Sequence, residues 1–342
     1  MSKHLIAIKA LGAWFQHNQR ILPWRDQPTF YRVWISEIML QQTQVATVLP
    51  YFEKFIAKFP TVEALAAAPV EDVLLSWAGL GYYSRARNLH QAAQLIVARG
   101  GFPETREEWL EIPGVGPYTA GAILSVTLNK VEAILDGNVE RVLSRVFRVD
   151  RGRGDSVYKA RLWRWAWAAV RGGVRVNVPP NQLNQALMEL GATFCSYRKP
   201  KCELCPLSSV CKAYGAGEPE AYPPKKKPKQ WVKVEERLHC VLDGSGRVLL
   251  RKRGKDEWRA DLWDLLEENP YKNAEKIGEQ EQRYVVTRHK VSRVVEIWKT
   301  SRVLKAAEAG VAVEGSQLQW VSLQSPEVPM GSPLRKLLQT LN

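Results

Sequence analysis

Four of the five cysteines in this chain lie close enough in sequence to hold a metal centre. They follow the spacing C-x6-C-x2-C-x5-C and are Cys195, Cys202, Cys205 and Cys211. Four thiolates at this spacing can enclose one metal ion or cluster, and the C-x2-C pair supplies a two-ligand turn. The spacing leaves zinc and a [4Fe–4S] cluster both open. Cys240 stands alone in a strand-like pattern and is interpreted as a core residue.

Two acidic residues, Glu37 and Asp136, could perform acid–base or electrostatic catalysis. On a helical period Glu37 shares a face with Phe30, Val33 and Trp34. Ionisation costs hydration on such an apolar face, so the pKa of Glu37 should rise, which suits a general acid. The alternative is a Glu at the edge of that face, paired with an arginine. Asp136 precedes a helical pattern and is expected to cap it, and it could also direct a carboxylate into a cleft.

A third segment, LEIPGVGPYTAGAILS at residues 110–125, predicts two helices joined by a tight turn. Gly114 and Gly116 allow close approach of the backbone to a ligand, and Pro117 suits the start of the second helix. The N–H groups at that helix start can bind a phosphate. The chain also carries a net charge of +14 and a pI near 9.6. Together these features favour a polyanionic partner such as DNA.

These residues belong to a chain whose hydrophobic pattern changes once. The pattern is helical up to Cys211, whereas it alternates like strands after a stretch rich in Gly, Pro and Lys. We therefore predict two domains, the first all-helical and the second α+β. The predicted boundaries are 1–215 for the helical domain with its cysteine loop at 195–211, 216–232 for a basic linker, and 233–342 for the α+β domain.

Composition limits the class of protein further. The chain has 342 residues, of which 45% are hydrophobic, so it can bury a core and is not expected to be disordered. No apolar run approaches the length of a membrane span, and the N-terminus reads as an amphipathic helix rather than a signal peptide. We therefore expect no membrane partner. The expected location is the bacterial cytoplasm, in association with the nucleoid.

Several motifs resemble those of one known family. They are LPWR at 22–25, SEIMLQQTQV at 36–45, GLGYYSRARNL at 79–89, PGVGPYTAGAI at 113–123, LDGNV at 135–139 and the cysteine loop. This set resembles the adenine DNA glycosylases of the MutY family, in the iron–sulfur branch of the helix–hairpin–helix superfamily, and covers most of residues 20–211. The segment after the linker resembles that family's C-terminal MutT-like (Nudix-fold) domain. The resemblance implies that the four cysteines hold a [4Fe–4S] cluster.

The resemblance also implies catalytic roles. Glu37 matches the acid that protonates adenine, and Asp136 matches the carboxylate that stabilises the cationic sugar. Tyr118 occupies the position at which bifunctional endonuclease-III-like relatives carry a Schiff-base lysine. The resemblance therefore implies a monofunctional glycosylase.

The remaining correspondences concern DNA. Gln42 and Tyr82 match residues that wedge into the base stack, Thr43 matches one that touches the damaged base, and Gly114 and Gly116 match the phosphate-binding hairpin. The residues that match the adenine pocket are Arg20, Trp24, Leu40 and Gln185. Core packing is the alternative for Tyr82 and Trp24.

The C-terminal segment departs from its relatives at two places. It lacks the R-E-x-x-E-E motif that holds metal in MutT-type hydrolases, so hydrolase activity is not assigned. The family's lesion-reading loop has Phe-Ser-His, whereas this chain has Val291-Ser292-Arg293. We carry over Ser292 as a contact to 8-oxoguanine. Arg293 is interpreted either as a phosphate contact or as a solvent-facing residue at the start of a strand.

The resemblance thus implies an enzyme that acts as a monomer on double-stranded DNA. It would hydrolyse the N-glycosidic bond of adenine mispaired with 8-oxoguanine or guanine. Two other classes remain open on sequence grounds. One is a bifunctional pyrimidine glycosylase and AP lyase, and the other is a non-catalytic DNA-binding protein.

Overall fold

A computed structural model describes residues 1–150, 155–225, 230–301 and 317–342. The chain divides into two compact units, and each is built from two stretches of sequence. The first unit contains Met1–Ala67 and Asn88–Pro228, and the second contains Ala68–Arg87 and Lys229–Asn342. The predicted domain boundaries differ from these units in two respects: Ala68–Arg87 groups with the C-terminal stretch, and the division between the units falls inside the predicted linker 216–232.

The described chain before residue 226 is helical, as the periodicity predicts. Its helices are α1 (Lys3–Asn18), α2 (Pro23–Asp26), α3 (Phe30–Leu40), α4 (Val45–Lys58), α5 (Val62–Ala67), α6 (Val70–Ser76), α7 (Ser84–Ala98), α8 (Arg106–Leu110), α9 (Pro117–Leu128), α10 (Gly137–Phe147), α11 (Ser156–Arg175), α12 (Pro180–Thr193) and α13 (Lys212–Gly215). Helix α6 and the first residues of α7 belong to the second unit. The cysteine loop between α12 and α13 contains short 3₁₀ turns.

Side chains before the helices determine where several of them begin. Thr29 caps α3 by accepting a hydrogen bond from the N–H of Arg32, and Asp136 caps α10 by accepting one from the N–H of Val139. Thr105 and Glu108 form a reciprocal capping box at α8. Such caps satisfy N–H groups that have no partner within the helix, so they determine where the chain enters it.

Aromatic packing holds α3 and α8 together in the first unit. Phe30 and Phe102 stack with ring centroids 5.6 Å apart, and Phe102 stacks on Trp109 at 6.2 Å. Trp34 meets Phe102 edge to face at 6.2 Å and is fully buried, as is Trp109. Because these contacts bury the apolar face of α3, they also carry Glu37 inward on the same face.

The second unit contains a mixed β-sheet and a final helix. Its elements are β1 (Val232–Leu242), β2 (Arg247–Lys252), β3 (Trp263–Asp264), β4 (Glu275–Val286), β5 (His289–Lys299), β6 (Leu318–Ser322) and α14 (Ser332–Thr340). The strand order is β3-β2-β1-β5-β4, and β6 pairs with β2. Strands β1 and β5 are parallel, while the other pairs are antiparallel. Leu334, Leu337 and Leu338 of α14 pack on one face of the sheet. The predicted α+β class is therefore confirmed.

The stretch Ala68–Arg87 is held in the second unit by polar contacts to the sheet region. The hydroxyl of Tyr83 donates to the carbonyl of Met330 at 2.7 Å, and a guanidinium N–H of Arg87 donates to the carbonyl of Ala260 at 2.7 Å. The ammonium of Lys252 lies 2.6 Å from a carboxylate oxygen of Glu71. Sequence periodicity cannot detect such contacts, because the partners lie more than 170 positions apart.

The predicted linker is packed over part of its length. Tyr222 is buried, its carbonyl accepts a hydrogen bond from Arg145, and its hydroxyl accepts one from Arg148. These two arginines anchor the stretch before residue 226 to α10. Residues 226–229 of the predicted linker lie outside the described residues, and the domain boundaries stay a prediction. No helix within the described ranges combines the length and the apolar character needed to cross a membrane.

Candidate active site

A cavity of about 900 Å³ in the first unit brings many of the predicted site residues together. It lies between the end of α3, the turn that follows it, the start of α9, the start of α10 and one face of α12. The predicted residues that line it are Arg20, Trp24, Glu37, Leu40, Gln42, Thr43, Tyr118, Asp136 and Gln185. Trp24 also packs edge to face on Phe52, so it is both a core residue and part of the cavity wall.

Glu37 extends from the buried face of α3 into this cavity. It is 7% exposed, and its Oε2 accepts a hydrogen bond of 2.7 Å from the hydroxyl of Tyr118. Burial raises the pKa of Glu37 to about 7, with a smaller contribution from the charge of Asp136, while the Tyr118 hydrogen bond and Arg25 oppose the rise. The predicted rise in pKa is thus confirmed. A carboxyl group with this pKa exchanges its proton near neutral pH, as a general acid must.

Tyr118 lies in the first turn of α9 and touches both Glu37 and Met188. Burial, followed by the nearby charge of Glu37, holds the pKa of its phenol well above the ordinary value of 10.0. The phenol therefore stays protonated and serves as a hydrogen-bond donor. Because Tyr118 directly follows Pro117, the proline that opens α9, the hairpin determines where this hydroxyl lies.

Asp136 combines the cap of α10 with a position at the cavity. Its Oδ1 accepts from the N–H of Val139 at 2.7 Å, and its Oδ2 accepts from the side-chain amide of Asn138 at 2.9 Å. Burial raises the pKa of Asp136, although these hydrogen bonds act against the rise. The predicted capping role is confirmed, and the two bonds fix the direction of the carboxylate.

A hydrogen-bond chain continues from Asp136 to the cysteine loop. One guanidinium N–H group of Arg141 donates to Oδ1 of Asn138 at 2.9 Å, and its Nε donates to the carbonyl of Cys195 at 2.7 Å. Sequence reasoning missed Asn138 and Arg141. Their spacing of three residues places them on one face of α10, and this was the available signal.

Arg20 and Arg25 line the cavity and share one carboxylate partner, Glu189; sequence reasoning missed Arg25 and Glu189. Glu189 on α12 is fully buried, and its carboxylate accepts hydrogen bonds from Arg20 at 2.5 Å and from Arg25 at 2.8 Å. Burial alone would raise the pKa of Glu189, but the two arginines outweigh it and lower the pKa. Glu189 therefore stays ionised and holds both guanidinium groups beside Glu37.

The predicted hairpin lies between α8 and α9. Gly114 has a φ of +81°, and a Cβ there would meet Asn88 at 3.1 Å, so both the conformation and the space favour glycine. Gly116 precedes α9 without a side-chain cap, which leaves N–H groups of the first turn available to an anion. This arrangement is the predicted helix–hairpin–helix element.

The two predicted wedge residues share an unusual backbone conformation. Gln42 in the first unit has a φ of +59°, and Tyr82 in the second unit has a φ of +50°. Left-handed backbone costs free energy for residues with a side chain, on the order of 1–3 kcal/mol, and persists where the surroundings enforce it. In the second unit the guanidinium of Arg85 contacts this turn: it lies over the ring of Tyr82 and donates to the carbonyls of Leu80 and Gly81.

The four cysteines of the predicted metal loop line one small cavity. Among the described residues, no three His, Cys, Asp or Glu side chains are arranged as a metal site. The donor set nevertheless suits a thiolate-bound cluster, because all four thiols face the same space beside Arg145. Arg145 is fully buried and donates to Sγ of Cys195 at 3.2 Å, so it supplies a positive charge to an anionic sulfur centre.

The structure corrects the interpretation of the Ser292 region. Ser292 lies within strand β5 rather than in a loop, and its side chain is exposed. Arg293 is neither a phosphate contact nor solvent-facing, because it is 1% exposed. Its guanidinium binds both oxygens of Asp264 at 3.1 Å and a carboxylate oxygen of Glu236 at 2.9 Å. Strand alternation places Arg293 on the inner face, where only paired charges are tolerated.

The burial of Glu37 leads to a testable effect on stability. We expect Glu37→Gln to stabilise the folded protein above pH 7 more than at acid pH. The folded state holds the pKa of Glu37 near 7, against an ordinary value of 4.5. The stability that this shift contributes is complete below pH 4.5 and is lost as pH rises through 7, by about 3 kcal/mol at most. Chemical denaturation of both proteins at about pH 5 and about pH 9 measures the difference. An equal difference at both pH values would contradict the assigned pKa.

Comparisons with known proteins agree with this arrangement. Residues 35–167 match the family described as HhH-GPD superfamily base excision DNA repair protein. The chain is 36% identical over 252 residues to the adenine DNA glycosylase of Buchnera aphidicola subsp. Baizongia pistaciae (strain Bp), which covers 73% of this chain and 70% of the relative. It is 39% identical to that of Buchnera aphidicola subsp. Acyrthosiphon pisum (strain APS), over 66% of this chain and 63% of the relative.

A solved structure of another DNA glycosylase has a similar fold over part of the chain. The structure of a thermostable thymine-DNA glycosylase aligns with a TM-score of 0.55 and 28% identity, over 63% of this chain and 97% of that one. The sequence relatives, the family match and the hairpin geometry all lead to one assignment. The chain belongs to the adenine DNA glycosylase family.

Proposed function

We propose that this chain hydrolyses the N-glycosidic bond of adenine mispaired with 8-oxoguanine or guanine in double-stranded DNA, and that it has no lyase activity. The observation that carries the proposal is the pair of carboxyl groups, Glu37 and Asp136, in one cavity with different surroundings. Glu37 has a pKa near 7 and a phenol donor, whereas Asp136 is oriented by two donors. Enzymes that hydrolyse glycosidic bonds usually use two carboxyl groups, one as a general acid and the other as a carboxylate that acts at the sugar.

The mechanism follows from these surroundings. The adenine must leave the base stack to reach the cavity, at a cost of roughly a few kcal/mol. Glu37 donates its proton to the base, which makes adenine a better leaving group. Positive charge then develops at C1′, and the oriented carboxylate of Asp136 stabilises it. The oxygen of a water molecule then bonds to C1′, and the proton that this water loses passes to the ionised Glu37, which restores the acid. Tyr118 keeps its hydrogen bond to Glu37 throughout.

The rest of the chain is proposed to position the DNA. The hairpin at Gly114 and Gly116 binds a backbone phosphate, Gln42 and Tyr82 enter the base stack, and Thr43 contacts the opposite base. The four cysteines would hold a [4Fe–4S] cluster, which supplies a rigid cross-link within the loop 195–211. The C-terminal α+β region acts as a MutT-like domain in reading the lesion. The protein works as a monomer.

One assay tests this function directly. Single-turnover excision is measured on four duplexes that carry adenine opposite 8-oxoguanine, guanine, cytosine or thymine. We expect release of adenine opposite 8-oxoguanine and guanine, with little opposite cytosine or thymine. Release of a pyrimidine base instead, or no base release from any of the duplexes, would overturn the proposal.

Tyr118 distinguishes a monofunctional from a bifunctional enzyme. A Schiff base needs an amine at the sugar, and Tyr118 offers a phenol that stays protonated. We therefore expect borohydride to trap little covalent protein–DNA complex with the wild type. Tyr118→Lys should increase trapping and strand scission, while Tyr118→Phe should not. Efficient trapping by the wild-type protein would favour the lyase alternative.

Ser292 is proposed to contact the polar edge of 8-oxoguanine through its exposed hydroxyl. We expect Ser292→Ala to reduce the preference for 8-oxoguanine over guanine by about 2- to 10-fold, the effect of one lost hydrogen bond. Ser322→Ala is the matched control, because Ser322 is an exposed serine on strand β6 of the same sheet. The ratio of excision rates on the two duplexes is the measurement. An unchanged ratio would remove Ser292 from lesion reading.

A further inference from the structure

Met188 on α12 borders the cavity that contains Glu37, and the proposed excision reaction gives this methionine no role. We propose that Met188 is a site of oxidative modification, at which a peroxide converts the thioether to a sulfoxide and thereby slows excision. The modification does not depend on the proposed function, whereas its effect on the excision rate rests on that function.

The burial of the methionines makes oxidation selective for the active site. The chain has four methionines, and two of them, Met39 and Met330, are 0% exposed. A peroxide does not reach their sulfur atoms while the protein is folded. Met1 is 74% exposed but does not line the cavity of Glu37. Met188 is half-buried and borders a cavity of about 900 Å³, which is large enough to admit a peroxide. It therefore combines access to an oxidant with a position beside the catalytic groups.

The modification transfers one oxygen atom from hydrogen peroxide to the protein. A lone pair of the Met188 sulfur attacks one peroxide oxygen, so that an S–O bond forms while the O–O bond breaks. The hydroxyl group left on sulfur gives its proton to the departing hydroxide, which leaves as water. Sulfur loses two electrons and the peroxide gains them, so no other oxidant is needed. The product is a polar sulfoxide in place of an apolar thioether.

The sulfoxide oxygen competes for the hydrogen of the Tyr118 hydroxyl. That hydroxyl lies 3.3 Å from Sδ of Met188 and 2.7 Å from Oε2 of Glu37. A phenol has one hydrogen to donate, and a thioether sulfur is a weak acceptor, so Glu37 receives the stronger bond in the unmodified protein. A sulfoxide oxygen is a strong acceptor bonded directly to Sδ, and it lies within reach of the same hydroxyl. Oxidation therefore draws the hydrogen bond away from Glu37.

Loss of this hydrogen bond acts on the proton transfer to the base. Glu37 becomes negatively charged as it gives up its proton, and the donor at Oε2 stabilises that developing charge. A hydrogen bond to a charged group is strong enough to change a rate by about tenfold or more. The charged groups that also face Glu37 are Asp136 and Arg25, and oxidation of Met188 changes neither charge. The effect of the sulfoxide is thus expected to pass through Tyr118.

The first arm of the experiment treats the full-length protein with hydrogen peroxide. Mass spectrometry of its peptides locates the added oxygen, and we expect it at Met188 but not at Met39 or Met330. Single-turnover excision is then compared before and after treatment, on a duplex with adenine opposite 8-oxoguanine. We expect the rate to fall by at least about tenfold. Iron is measured in the same samples, because peroxide can also damage an iron–sulfur cluster.

Substitutions separate Met188 from other groups that peroxide attacks. Met188→Leu removes the sulfur at nearly constant volume, so its treated and untreated rates should be equal. Met330→Leu is the matched control, since Met330 is fully buried in the second unit, and it should stay as sensitive as the wild type. Met188→Gln supplies an amide oxygen without any oxidant and should be about tenfold slower than Met188→Leu. In a Tyr118→Phe background these two variants should have equal rates, because no hydroxyl is left to divert.

Three results would contradict the proposal. The first is an unmodified Met188 at a peroxide dose that oxidises free methionine in the same sample. The second is a loss of rate that Met188→Leu shares with the wild type, which would assign the sensitivity to another group. The third is an equal rate for Met188→Gln and Met188→Leu when Tyr118 is intact. If the untreated protein releases no base, the proposed function fails, while the position of the added oxygen still tests the modification site.

Discussion

Glu37→Gln and Asp136→Asn should each slow the single-turnover release of adenine by at least about 100-fold. Glutamine keeps the shape of Glu37 and can still accept from Tyr118, but it has no proton to give to the base. Asparagine keeps a cap oxygen for Val139, but it has no charge to stabilise a cationic sugar. Each substitution removes an interaction that is stronger in the transition state than in the ground state: proton donation to the base, or stabilisation of the cationic sugar.

Binding of the mispair should survive both substitutions, since affinity for DNA comes largely from phosphate contacts. Gel-shift affinity is therefore measured beside the excision rate. Asp155→Asn is the matched control for Asp136→Asn, because Asp155 caps α11 in the same manner. Glu111→Gln is the control for Glu37→Gln, since Glu111 is an exposed glutamate paired with Arg99. A rate within a few-fold of wild type in either active-site variant would remove that residue from the mechanism.

Glu37→Gln is thus expected to be more stable above neutral pH and yet inactive. Substitutions that damage folding lower both properties together, so this combination would be diagnostic. It would mean that burial of Glu37 lowers the free energy of unfolding but gives its carboxyl group the raised pKa that proton transfer to the base requires.

Replacement of one cysteine of the loop should greatly lower the iron content of the protein. We expect the purified protein to be brown with about four irons per chain, and Cys202→Ala to lose nearly all of that iron, since three thiolates hold a [4Fe–4S] cluster poorly. DNA affinity should fall with the iron, because the loop 195–211 would lose its cross-link. Iron analysis, visible absorbance and gel shift measure these properties.

Cys240→Ala serves as the control for the cysteine substitution. Cys240 is fully buried on β1, in the core of the second unit, so its replacement should leave the iron content unchanged. A colourless wild-type protein with one zinc per chain would show that the loop binds a different metal.

Local patterns predicted the parts of the site that depend on one element. The apolar face of α3 predicted the burial and the raised pKa of Glu37, and the residues before α10 predicted the cap by Asp136. Glu189 could not be predicted in this way, because its partner Arg20 lies 169 positions away. In the sequence, a glutamate that will be buried cannot be distinguished from an exposed one, because only the fold places its arginine partners next to it.

The same limit explains the error at Arg293. An arginine at a strand position reads as solvent-facing unless an acid lies opposite, and the acids here are Asp264 and Glu236, which lie 29 and 57 positions away. The strand assignment itself was accessible from sequence, since β5 alternates between buried and exposed residues. Pairing of charges between strands was not accessible.

The second unit is built from two separate stretches of sequence, and this limits where the protein can be truncated. A gene that ends after residue 222 still encodes Ala68–Arg87, but it no longer encodes Met330, Lys252 or Ala260, to which that stretch is bonded. A drop in activity after such a deletion would therefore have two possible causes. One is the loss of the C-terminal domain, and the other is disruption of the turn that contains Tyr82. The two units are not modules that recombination could exchange at the linker, and they are expected to have been inherited together.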